Sequence, residues 1–166
     1  MKLKDFELTE DNHFVAMEYY MLILNRTYLV LITDDLLIGI LANGLVSAEG
    51  GNPGITRQIS RSLAIQDDLT NPHSYIKEKY IRKVEDDDLY DGSILTRSRS
   101  NFIINRKDIA EAYYDPKKKW GMGYYPHDGK VYVLTNRNKK REFIILGDQS
   151  GQKIANLVSN KRGTKW

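Results

Sequence analysis

Between Tyr19 and Ala42 the chain carries three apolar runs, Tyr19–Leu24, Tyr28–Ile32 and Leu36–Leu41, parted by Asn25-Arg26 and by Thr33-Asp34-Asp35. Each run has the length of a strand, and the polar breaks suit tight hairpins. Burying the charged breaks in lipid would cost several kcal/mol, so the stretch predicts an antiparallel meander rather than a membrane span. The runs are apolar on both sides of the pleat, which predicts a covering layer on the outer face as well. Ala42-Asn43-Gly44 reads as the next turn.

Beyond the linker Glu49–Gly54 the period changes. Ile55, Ile59 and Leu63 are spaced by four, and so are Ile76, Tyr80 and Val84. This predicts two helices over Ile55–Val84, the second capped by Asn71 with Pro72 at its first position. Strands resume with Ile94-Leu95, Asn101–Ile104 and Ile109–Tyr114, although Asp108–Tyr114 also suits a helix. Lys130–Thr135 and Glu142–Leu146 form the strongest hairpin pattern. A last helix, capped by Asp148 or Ser150, carries the stripe Ile154, Leu157 and Val158. At 166 residues the chain has room for one domain.

Three segments, Asn101–Ile109, Gly129–Thr135 and Arg141–Leu146, followed by the last helix, carry a family pattern. It is an aliphatic strand ending at Asp108-Ile109, two hairpin strands and a closing helix. With the early hairpin Tyr28–Leu41, it resembles the bacterial pleckstrin-homology-like and GRAM-like domains. The resemblance implies an α+β fold, a PH-like antiparallel barrel or strongly bent sheet with a C-terminal helix. Residues 1–166 then form a single domain with a helical insertion at about 53–85. Eukaryotic members often bind phosphoinositides through basic residues on the first hairpin. Here that hairpin has only Arg26, so lipid binding does not carry over.

Charge is unevenly distributed. Met1–Asn52 holds three basic and eight acidic residues, whereas Gly92–Trp166 holds sixteen basic and six acidic, a balance of +10. Within the basic half, Lys117, Lys118, Lys119 and Trp120 form one cluster and Lys139, Lys140 and Arg141 another. Cations interleaved with aromatics suit an anionic surface, an acidic protein or a single-stranded nucleic acid; the alternative is a pair of solvated loops.

Other chemistry is poorly supported. Asp86–Gly92 fails the calcium-loop pattern, because Leu89 and Ser98 fall at the third and twelfth positions counted from Asp87. His127-Asp128 reads as a turn without a nucleophile, and His13 and His73 lack metal spacing. No cysteine is present, which removes disulfides and thiolate sites. The N-terminus lacks a secretory signal, and the expected location is cytoplasmic. The sequence therefore predicts a non-enzymatic binding or scaffolding module for a protein partner or anionic surface, without metal or cofactor. Its rivals are a nucleic-acid-binding protein and an enzyme of unrecognised family working near His127.

Overall fold

The apolar runs pair as a meander, but with longer strands than their lengths suggest. The computed structural model describes residues 1–21, 24–47, 69–118 and 125–159. In it β1 spans His13–Met21, β2 Leu24–Ile32 and β3 Leu36–Ser47. Tyr19–Leu24 is therefore not a strand of its own, and Asn25-Arg26 is not a turn. Arg26 stands opposite Glu18 and Asn25 opposite Tyr19, so these polar residues belong to the ladder. Thr33 does turn the chain: its N–H donates to Leu36 O at 2.9 Å, and its Oγ1 accepts from Leu36 N at 2.9 Å. Ala42-Asn43-Gly44 does not turn. There β3 continues through two register irregularities, with Leu45, Asn43 and Leu41 opposite Arg26, Thr27 and Tyr28.

Four further strands follow: β4 (Phe102–Asn105), β5 (Ile109–Asp115), β6 (His127–Thr135) and β7 (Lys140–Leu146). The ladders are antiparallel, in the order β4-β3-β2-β1-β7-β6-β5, and the sheet curls into a half-barrel. Phe102 of β4 meets Phe143 of β7 at 6.0 Å between ring centroids, although three strands lie between them. That contact fixes the inside of the curl. Gly39 makes room for it, since a Cβ there would lie 1.9 Å from the Phe102 ring.

The helical elements are α1 (Glu78–Ile81), α2 (Ile94–Arg97) and α3 (Gly151–Ser159). α3 packs on the inside face, where Ile154, Ala155 and Val158 join Phe14, Val30, Val131 and Phe143 in one buried cluster. Leu157 is half-buried against the same cluster. Replacing Ile154 by Ala is expected to lower stability by about 2–5 kcal/mol. Urea denaturation checks this, and a shift below about 0.5 kcal/mol would mean an undocked helix.

The outer face is also covered, among the described residues by short turns. Leu3, Tyr75, Val84, Leu89 and Ile94 pack there against Val15, Met17, Leu29, Leu31 and Ile40. The continuous helix expected through Ile76, Tyr80 and Val84 is replaced by a 3-10 turn, Pro72–Tyr75, and the single turn α1. Between them Ile76 and Lys77 are extended, because the lengthened β3 offers Ala42 O to the Lys77 N–H at 2.8 Å. Asn71 does cap, accepting from His73 N at 3.0 Å. Ile94-Leu95 is helical rather than a strand, with the Asn101 side chain donating to Ile94 O at 2.8 Å. Ile55–Leu63 and the linker at 49–54 lie outside the described residues. No helix among the described residues is long and apolar enough to cross a membrane.

The two edge strands, β4 and β5, are consecutive in the chain and joined by the 3-10 turn Arg106–Asp108. Arg106 is buried there and donates to Thr33 O at 2.8 Å and to Leu157 O at 2.7 Å. One side chain thus ties the β2–β3 turn and the C-terminal end of α3 to the link between the two edges. Asp128 holds the other end of α3, accepting from Gly151 N at 2.8 Å and from the Tyr114 hydroxyl at 2.7 Å.

Candidate functional site

Register on β6 places the two basic clusters. Lys117 and Lys118 follow Asp115, which pairs with Lys130; Lys140 pairs with Leu134. Four residues of β6 separate those positions, about 14 Å at strand rise. The clusters therefore sit at opposite ends of one ladder instead of forming a single patch. Lys119 and Trp120 lie outside the described residues.

Pairing sorts the cations. Lys4, Arg82, Arg97, Lys130 and Lys153 each meet a carboxylate. Lys117, Lys118 and Lys139 are exposed and enter no ion pair among the described residues. Arg141 differs from its neighbours: its Nη1 donates to Glu18 Oε2 at 2.7 Å, and its guanidinium lies 3.5 Å from the Phe102 ring centre. Burial pushes the Glu18 carboxyl above its usual range, against the opposing pull of Arg141. Arg141 thus belongs to the interior end of the half-barrel.

Between the lysine groups the outward face of β5, β6 and β7 has a mixed character. Tyr113 and Tyr132 stand opposite each other with ring centroids 4.9 Å apart, and Lys140 Nζ lies 4.1 Å from the centre of the Tyr132 ring. Glu111 faces Leu134 on the same side, and Glu142, opposite Tyr132, pairs with Lys130. This face thus carries two tyrosines and both charge signs.

His127 and Asp128 do not form an acid–base pair. Neighbours on a strand point to opposite faces, and Asp128 is engaged with Gly151 and Tyr114 while His127 Nδ1 contacts Tyr125 O at 3.1 Å. The polar pairing that sequence spacing missed is His13 with His73, whose Nε2 atoms are 2.8 Å apart across 60 residues of sequence. It borders a cleft of about 440 Å³ formed with Asp148, Gln149 and Lys153. No group of three or more His, Cys, Asp or Glu among the described residues could hold a metal ion.

These features define a curled antiparallel half-barrel sheet with a C-terminal helix, and exposed lysines after β5 and before β7. Comparison with protein-family models, with curated proteins and with solved structures finds no match.

Proposed function

We propose that the chain is a non-enzymatic binding module of pleckstrin-homology-like type, and that it docks an acidic protein partner on the outward face of β5–β7. The PH-like reading is supported by the seven-strand order, by the Asp108-Ile109 step linking the edges and by the helix inside the curl. The docking reading rests on one observation: Lys117, Lys118 and Lys139 enter no ion pair among the described residues, at both ends of a face that carries stacked tyrosines and its own carboxylates. Charges so placed steer an oppositely charged partner and set its register.

Titration with poly-L-glutamate, short duplex DNA, RNA and anionic vesicles at low salt tests it. Poly-L-glutamate is expected to bind, with affinity falling as salt rises, and DNA, RNA and vesicles to bind no more tightly. Much tighter binding of DNA or RNA would replace this reading with nucleic-acid recognition, and preferential vesicle binding with a membrane surface. Binding to none of the four would leave the lysines as solubilising charge and overturn it.

A further inference from the structure

His13 opens β1, and His73 sits in the turn Pro72–Tyr75. His13 Nδ1 lies 2.6 Å from Thr9 O. A carbonyl only accepts, so that nitrogen carries a proton. A neutral His13 then has a bare Nε2, and the proton between the two rings must come from His73 Nε2. The ring centroids are 5.0 Å apart, close to the N···N distance plus the two ring radii. The rings therefore meet edge to edge, nearly in line, as in one N–H···N hydrogen bond. Two imidazoles sharing a metal would instead aim both lone pairs at a common point to one side.

We propose that His13 and His73 form a latch that shares one proton between their Nε2 atoms, fastens residues 69–73 to β1 and opens when both rings are protonated. A single added proton leaves one ring neutral and able to accept from the other; protonating both rings removes every acceptor between them and sets two cations against each other at hydrogen-bond distance. Burial holds the His13 ring below the usual imidazole range, with the neighbouring His73 adding to this and the Thr9 carbonyl opposing it. Other groups around the pair come from three elements. Glu10 and Asp11 precede β1 and are tied to Lys153 of α3 at 3.4 and 3.0 Å. Asp148, in the turn before α3, is exposed. The Gln149 side chain is committed to Val15 N, Val15 O and Leu146 O. None of these supplies an acceptor to a doubly protonated pair.

The latched segment has a reporter. Gly147, with φ 67°, packs against Thr70 and Pro72, and the following Asp148 N–H donates to Thr70 O at 2.8 Å. Tyr75, fully buried, anchors the C-terminal side of the segment, and its hydroxyl donates to Leu69 O at 3.0 Å. Because the His13 value is lower in the latched fold than in a free chain, the latch is fully closed above about pH 6.5. It is lost as pH falls through the lower folded value, widening the cleft beside α3.

Imidazole ¹⁵N spectra of the full chain from pH 8 to 4.5, with amide exchange protection of Asp148, test this. At pH 8 His13 should be the Nδ1–H tautomer and His73 the Nε2–H tautomer. Asp148 should lose protection as His13 titrates, below pH 6.5. In His73→Gln the amide can turn either its NH₂ or its oxygen toward His13, so Asp148 protection should stay constant through the same range. An Nε2–H tautomer of His13 at pH 8, protection in the wild type indifferent to the titration, or the same loss in His73→Gln would overturn the latch.

Discussion

Replacing Arg106 by Met is expected to destabilise the fold by about 2–5 kcal/mol, because two or more carbonyls lose a charged donor inside the protein. Arg106 is only 5% exposed, and its guanidinium reaches Thr33 O, Leu157 O and, at 3.4 Å, Val158 O. The last two are terminal carbonyls of α3, at the negative end of the helix dipole. Methionine fills similar volume, so the effect reports lost hydrogen bonds more than a cavity. Lysine keeps the charge but not the planar fork that serves two elements, so Arg106→Lys should recover only part of the loss. Urea denaturation of the three proteins measures the series. A change below about 0.5 kcal/mol for Arg106→Met would mean that α3 and the β2–β3 turn hold together without it.

Particular residues show what the sequence made legible. The hairpin of β6 and β7 and the helix α3 were readable because they alternate or repeat cleanly: Val131 and Val133 point inward with Phe143 and Ile145, and Ile154 and Val158 share one helix face. The ends of strands were not readable where the half-barrel ends. Asn25 and Arg26 look like a break, yet they pair with Tyr19 and Glu18 across β1 and β2. Ile94-Leu95 has strand composition, but Asn101 rewards a helical turn by bonding Ile94 O.

Long-range polar partners were invisible for a different reason. Arg106 beside Lys107 reads as solvated charge, and its acceptors come from the distant β2–β3 turn and from the return of α3, more than fifty residues on. His13 and His73 acquire meaning only when the Pro72–Tyr75 turn docks beside β1. The lysine clusters were legible as charge, but their separation is a property of ladder register. Arg141 is set apart from the neighbouring lysines because Glu18 on the adjacent strand β1 and Phe102 across the curl engage it.

The proposed docking surface predicts a second large effect. Reversing one charge at each end, Lys118→Glu with Lys139→Glu, should weaken poly-L-glutamate binding at least about tenfold, equivalent to about 1.4 kcal/mol. Lys139 is the better choice than Lys140, whose ammonium packs over the Tyr132 ring and contributes to the face itself. Exposed lysines without carboxylate partners add little to folding, so the urea midpoint should hardly move. Each single reversal should lose less than the pair, since a partner spanning both ends keeps one contact.

The most direct measurement is therefore a fluorescence-anisotropy titration of labelled poly-L-glutamate at low salt with the wild type, the two single reversals and the double reversal. The account predicts saturable binding by the wild type, intermediate affinity for each single variant and near-complete loss for the double variant, at unchanged stability. Wild-type binding that survives the double reversal, or no wild-type binding at all, would contradict it.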